Sequence, residues 1–402
     1  MLETLLNLGT EVEQDKPCYL DVTGSRAIFI CGKRGSGKSY SMGVIIEEMF
    51  ERLKGEVVIL IADPMGIYHT MVSPNTRQSS ELRSTGRLAK GYPLRLIVPG
   101  DPVARYGDAS VVARFRENGA DVVALQINPS DISPEAWCEL FDVSINEAMG
   151  ITLWRAVDTL KEKNRPFTIR NIIKQIMDDG RAKDASKEAL ENRLTAAARW
   201  GIFAESPKAL TDLFSVNHIN VLDLSVLDAG TKGLRNMVIN VVAQRLFSER
   251  TRERRREEFG LGTQLPKVWL AIDEAHQFVP TGRTSLCKEM LIRWVKEGRQ
   301  PGLGLIVATQ QPAAMDSELL SQCDVILSHK ITSWEDINAL DRLSATYLEG
   351  NLKSHIRSLS RRGEALLVDD ETESAAFVRV RPRLSAHGGG ETHEVQSKQT
   401  LF

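Results

Sequence analysis

The chain has 402 residues, 42% hydrophobic and 26% charged, with 51 Lys and Arg against 53 Asp and Glu; it can bury a full core, and it has no global basic field to hold nucleic acid by charge alone. Its five cysteines, Cys18, Cys31, Cys138, Cys287 and Cys323, stand far apart with no Cys-x-x-Cys pair, which argues against a zinc site or disulfide framework and for a reducing, cytoplasmic setting. No run approaches the ~20 uninterrupted apolar residues of a membrane span, so no membrane partner is expected.

Residues 1–25 read as a short N-terminal extension. The run from Arg26 to Cys31 is short and almost continuously apolar, as a strand buried on both faces of a parallel sheet would be. It ends in Gly32-Lys33-Arg34-Gly35-Ser36-Gly37-Lys38-Ser39, followed by Tyr40 and a helical stripe through Met42, Ile45, Ile46 and Met49. Strand, glycine-rich loop and helix thus come in the order of a phosphate-binding loop. Residues 32–40, Tyr40 included, are the expected nucleotide-binding residues: the glycines let successive N–H groups face phosphate oxygens, Lys38 neutralises the β- and γ-phosphates, and Ser39 ligates magnesium; the expected ligands are ATP and Mg2+.

Residues 56–63 predict a second buried strand, and weaker strands follow at Leu94–Val98 and Asp121–Ile127. From residue 131 to 215 the texture becomes helical: Ile169, Ile172, Ile173 and Ile176 fall on one face behind Thr168, an N-cap residue. This segment reads as a helical insertion that divides an α/β core of residues 26–130 and 216–385. Buried-strand texture returns at Ile219–Leu224.

The basic run Arg250–Arg256 is interleaved with Glu253, Glu257 and Glu258. A solvated helix end or a subunit interface suits it better than a DNA face, and it lacks the aromatic residues of a single-strand stacking platform. Beyond it, Val268-Trp-Leu-Ala-Ile-Asp273-Glu274 places two carboxylates at the C-terminal end of a buried strand, where ligands bind in open α/β sheets. Paired with the loop above, Asp273 is the expected second magnesium residue and Glu274 the base for an attacking water. His276 is either a coupling residue or a local hydrogen bonder. The strand Leu303–Ala308 leads into Thr309-Gln310-Gln311-Pro312; Gln310, with Thr309 second, is the expected sensor of the γ-phosphate. A strand at Asp324–Leu327 and a hairpin of Glu364–Val368 with Ala376–Val380 complete a mainly parallel α/β fold, and residues 386–402 read as a flexible tail or arm.

The ordered set of the glycine loop, Ile272-Asp273-Glu274-Ala275-His276, Glu297-Gly298-Arg299-Gln300, Thr309-Gln310-Gln311-Pro312 and Leu320-Ser321-Gln322-Cys323-Asp324, with Asp63-Pro64, Gly363-Glu364-Ala365 and Arg381-Pro382-Arg383 to His387-Gly388-Gly389, resembles the HerA branch of the HerA/FtsK translocases. It covers the chain from about Arg26 onward except the helical insertion. The resemblance implies a RecA-like ATPase that forms a homo-hexameric ring, pumps or unwinds double-stranded DNA, and works beside a nuclease or, in bacterial relatives, a defence effector. It also implies that ATP lies between subunits, with Arg26 or Arg299 where the family places functional arginines; Arg361 and Arg362 are weaker candidates. The chain departs from the family in three places: 31 residues, not a β-barrel, precede Gly32; Asp-Pro-His-Gly-Glu-Tyr appears as Asp63-Pro64-Met65-Gly66-Ile67-Tyr68; and Gln-Arg-Pro appears as Gln310-Gln311-Pro312. Only Asp63 is carried over from the second. The competing reading is a ring that uses ATP to load or gate an effector, with little translocation.

Overall fold

Strands that are apolar on both sides need cover on both sides, and the side chains of the central strands sort accordingly. Ala27, Phe29 and Cys31 enter one core while Ile28 and Ile30 enter the other; Val58, Leu60 and Ala62 likewise oppose Val57, Ile59 and Ile61. The computed structural model describes residues 4–227, 232–342, 352–359 and 361–389. In chain order its strands are β1 (Leu5–Glu11), β2 (Pro17–Asp21), β3 (Ala27–Cys31), β4 (Val57–Asp63), β5 (Leu94–Pro99) and β6 (Ala120–Leu125). They continue with β7 (Ile219–Asp223), β8 (Lys267–Ile272), β9 (Leu303–Thr309), β10 (Val325–His329), β11 (Glu364–Asp369) and β12 (Ser374–Val380). All lie in one sheet of order β2-β1-β12-β11-β10-β3-β9-β8-β4-β7-β5-β6.

From β10 to β6 every neighbouring pair is parallel. The hairpin of β11 and β12 continues the sheet antiparallel from β10. The helices Pro134–Leu140, Ala148–Glu162, Ile169–Met177 and Asp184–Ala198 bury Trp137, Leu153, Ile172, Ile176, Leu190 and Leu194 in the core that also receives Phe29 and Leu60. Thr168 caps its helix in a reciprocal box with Asn171. On the other face the helix Lys38–Arg52 buries Met42, Ile45, Ile46 and Met49.

Two expectations about the ends need correction. Residues 5–21, read as an extension, form β1 and β2 and add to the free edge of β12. Leu6 and Leu8 point into the core, and Gly9, at φ 145°, lies so close to β12 that a Cβ there would stand 2.0 Å from Arg379 O. The tail read as starting at residue 386 is held as far as His387: Ala386 N donates to Ser73 O, Thr70 Oγ1 donates to Ala386 O, and Arg383 reaches His387 Nδ1 at 3.2 Å. Residues 390–402 of that tail lie outside the described residues.

Candidate nucleotide site

The loop 32–39 leaves the C-terminal end of β3 and enters the helix Lys38–Arg52 with Gly37 as its N-cap. Its floor is His329, a fully buried residue at the end of the adjacent strand β10. Gly32 and Gly37 have positive φ, and Cβ atoms on them would lie 2.6 and 3.3 Å from His329 atoms, so the loop closes down on the imidazole only because both are glycine. His329 Nδ1 lies 2.9 Å from Glu364 O, which can only accept, so Nδ1 carries the proton and Nε2 accepts from Ser41 Oγ at 2.9 Å. Burial pushes this imidazole down to about 4, which keeps it neutral.

Lys33, Arg34 and Gly35 form the exposed crest of the loop, while Ser36 and Lys38 are buried. Lys38 Nζ makes one hydrogen bond among the described residues, 3.3 Å to Lys33 O, and Ser36 Oγ makes none. Burial pushes the Lys38 ammonium down, opposed by the nearby carboxylates of Glu274 and Asp273. The first helical turn places Ser39 and Tyr40. The Tyr40 phenol is engaged elsewhere: it donates to Gln78 Oε1 at 2.6 Å and accepts from Arg383 N at 2.7 Å.

That helix is gripped by the segment after β12. Glu47, fully buried, accepts from Arg381 (3.1 Å), Leu384 N (3.0 Å), Ser385 N (2.9 Å) and Ser385 Oγ (2.6 Å). Arg383 lies across Gly43, where a Cβ would meet its guanidinium carbon at 2.5 Å. Arg381-Pro382-Arg383 therefore serves to lock the helix that starts at the glycine loop.

β8 pairs with β9, which separates it from β3, and at its end Glu274 takes φ 49°, ψ 44°. A left-handed non-glycine residue of this kind costs about 1–3 kcal/mol and persists where its surroundings hold it. One Glu274 oxygen, Oε2, is buried without a hydrogen bond among the described residues. His276 Nδ1 stands 3.4 Å from it and 3.1 Å from Thr309 Oγ1. Burial and the Asp273 charge push the Glu274 carboxyl up, against the pull of Lys38 and the Gln310 N–H. Asp273 accepts from Glu274 N at 2.9 Å and from the phenol of Tyr68 at 3.0 Å. Burial pushes the neighbouring Asp63 up to about 7, with Asp223 and Asp273 adding to the rise and the Tyr68 N–H opposing it.

The structure thus gathers Lys38, Ser39, Asp273, Glu274, His276, Thr309 and Gln310 at the C-terminal ends of β3, β8 and β9. Gln310 contributes its backbone N–H, whereas the side-chain contact with His276 belongs to Thr309. Arg26 is not brought there. It stands before the first residue of β3, at the opposite end of the sheet, 5% exposed, and grips both oxygens of Asp369 at 3.0 and 2.5 Å; a guanidinium so committed has no reach toward a neighbour, and the expected role for it is withdrawn. Arg299 is exposed at that same far end, beside Lys267 and Arg254. Arg361 and Arg362 are exposed ahead of β11. In the basic run, Arg250 is buried on Pro301 O and Leu265 O, while Arg252, Arg254 and Arg256 pair with Glu249, Glu257 and Glu253 along the helix.

His329, Glu47 and Tyr68 were not singled out from sequence. The one signal for Tyr68 is its place in Asp63-Pro64-Met65-Gly66-Ile67-Tyr68; nothing local marks the other two.

A family model described as the central domain of helicase HerA matches residues 6–246. The DNA double-strand break repair helicase HerA of Pyrococcus furiosus is 24% identical over 89% of this chain and 65% of its own length. That of Sulfolobus acidocaldarius gives the same identity and coverage. The chain therefore spans a little under two thirds of these relatives. Among solved structures, VirB4 of Thermoanaerobacter pseudethanolicus superposes with a TM-score of 0.63 at 15% identity, covering 97% of this chain and 98% of that one. The bacterial conjugative coupling protein TrwB superposes with a TM-score of 0.54 at 11% identity, over 96% and 92%. The fold is that of RecA-like P-loop ATPases.

Proposed function

This chain belongs to the HerA family, and from that premise we propose that it is an ATP-hydrolysing motor that assembles as a ring, expected to be a hexamer, and moves or unwinds duplex DNA. The observation that carries the reading is the meeting, at one end of the sheet, of a sparsely bonded buried Lys38 with the strained, partly unbonded carboxylate of Glu274. Residues 26–130 and 216–385 are read as the ATPase core and 131–215 as an insertion in it.

A magnesium nucleotide fits these residues. Within the loop Lys33 N is bonded to Lys330 O and Ser36 N to Lys33 O, while Ser36 Oγ and Glu274 Oε2 are buried polar atoms without a hydrogen bond among the described residues. Ser39 and Asp273 would hold the ion. No three His, Cys, Asp or Glu side chains cluster as a metal site among the described residues, which suits an ion that takes its other ligands from phosphate and water. When bound it supplies charge neutralisation on the phosphates. Lys38 binds the β- and γ-phosphates. Glu274 orients a water and takes its proton as the water oxygen bonds the γ-phosphorus; the bond to the bridging oxygen breaks and its electrons leave with ADP. Glu274 is raised by its surroundings, which makes it a better base than an exposed glutamate. Thr309, tied to His276, conveys the change to β9. Arg299, exposed and far from its own loop, is the proposed arginine in trans.

The HerA relatives are DNA double-strand break repair helicases, which supports duplex DNA as the track. A site built to hydrolyse a phosphoanhydride does not cut strands, so a nuclease or a defence effector is the proposed partner. Among the described residues no helix is long and apolar enough to cross a membrane. The test is steady-state ATP hydrolysis with and without duplex DNA at low and moderate salt. Turnover should rise with DNA and vanish in Lys38→Ala; a rate indifferent to DNA, with a copurifying protein that responds to ATP binding alone, would replace the motor with a loading device.

A further inference from the structure

The nucleotide loop and the strand that carries Asp273 are separate pieces of chain, and a single hydroxyl spans them. Tyr68 is completely buried, and its phenolic oxygen lies 3.0 Å from Asp273 Oδ2 and 3.3 Å from the backbone oxygen of Ser39. We infer that Tyr68 is a positioning residue that sets Asp273 at its working distance from Ser39, so that the two proposed magnesium residues are presented as one unit. This rests on the magnesium–nucleotide reading above.

Both oxygens of Asp273 are spoken for: Oδ1 accepts from Glu274 N and Oδ2 from Tyr68. The carboxylate is thus oriented through both oxygens, and among the described residues its hydrogen bond on the loop side of the site is the one from Tyr68. A phenol has a single proton and here faces two acceptors, so the pull of Ser39 O and Asp273 Oδ2 on it keeps the hydroxyl between them.

The ring is itself held from below. Asp63, at the end of β4, accepts from Met65 N at 3.1 Å, Gly66 N at 2.8 Å and Tyr68 N at 2.8 Å, closing the turn that delivers the ring. Gly66 sits at φ 67°, where a Cβ would be 2.6 Å from Ser225 Oγ, so the turn has one shape. The chain of contact runs from Asp63 to the turn, to Tyr68, and to Asp273 and Ser39 together. Groups one contact away from a metal commonly change its affinity about 10–100-fold when removed.

A buried phenol that only filled space would leave metal dependence alone. Tyr68→Phe keeps the ring and deletes the hydroxyl, and Tyr106→Phe is its control: that phenol donates at 2.6 Å to Asp223, a carboxylate at the end of β7 that the proposed site does not use. The measurement is equilibrium binding of a fluorescent ADP across a magnesium titration and in EDTA, with the melting temperature of each variant recorded. For Tyr68→Phe, the magnesium concentration giving half of the metal-dependent gain in affinity should rise about tenfold. Affinity in EDTA should stay at the wild-type value, and Tyr106→Phe should match wild type throughout. Unchanged magnesium dependence in Tyr68→Phe overturns the inference, as does an equal shift in Tyr106→Phe. If the wild-type protein binds the nucleotide no better with magnesium than without, the underlying site reading fails instead, before either variant is compared.

Discussion

The two ends of the parallel sheet both bury charge, and they do so in opposite ways. At the amino-terminal ends of the strands Arg26 holds both oxygens of Asp369 and the carbonyl of Asp21, with Glu371 3.5 Å from its remaining Nε. Arg250, nearby, donates to two carbonyls and to Glu257. At the carboxyl-terminal ends, among the described residues, Lys38 has one long hydrogen bond and Ser36 Oγ and Glu274 Oε2 have none, and Glu274 adopts a costly backbone conformation. Burial of a charge is common to both ends and marks nothing by itself. What separates them is balance: Arg26, unbonded at Nε, still makes three hydrogen bonds, two of them to Asp369, and so holds strands together, while Lys38 makes one among the described residues and Glu274 beside it sits on strained backbone, an arrangement set up for a ligand.

The largest effects should come from the carboxyl-terminal end. Glu274→Gln removes the base but keeps its size, and ATP turnover should fall about 10²–10⁴-fold with nucleotide still bound. Lys38→Ala should abolish turnover and weaken binding. Neither should unfold the protein, since among the described residues Lys38 Nζ makes one long hydrogen bond and Glu274 Oε2 none. Urea titration of Lys38→Ala checks this: a midpoint far below wild type would mean that this end is structural too, and the contrast would be lost.

Arg26→Ala should do the reverse. It leaves Asp369 buried without its partner, a defect that costs about 3–5 kcal/mol. The urea midpoint should drop strongly while turnover per folded molecule stays near wild type. Asp369→Ala placed on top should recover part of the loss, because the stranded carboxylate is then gone. A turnover defect out of proportion to stability would return Arg26 to the site.

The same contrast explains what could be read from sequence. The central strands were legible because continuous apolar runs such as Ala27–Cys31 and Val57–Asp63 have few other ways to be buried, and the glycine loop because its spacing is set by phosphate. β1 was not legible: Leu6 and Leu8 make a two-residue alternation, and the bend at Gly9 makes sense only against Arg379, far along the chain. His329, Glu47 and Tyr68 act through partners more than 200 positions away, Ser41, Ser385 and Asp273. The reading of Arg26 failed for the same reason, since its partner Asp369 is 343 positions distant. Local chemistry shows which residues can react, and only the fold shows which are already occupied.

The smallest expected effect concerns the floor of the loop and its pH response. His329 is neutral and fully buried, with its ordinary value of 6.5 pushed down to about 4 by burial. Between those values the unfolded chain binds a proton there that the folded chain refuses, so the contribution of neutral His329 is fully present above about pH 6.5 and is lost as pH falls toward 4. On the order of 1–3 kcal/mol should disappear across that window. His387, pushed down to about 3, adds to the same slope. His329→Gln retains one donor and one acceptor and does not titrate. Urea midpoints taken from pH 7 to 4.5 should therefore fall less steeply in the variant than in wild type, even if the variant starts lower at pH 7. Parallel slopes would mean that the imidazole is not held neutral beneath the glycines, and that the nucleotide end of the sheet has a softer floor than Gly32 and Gly37 imply.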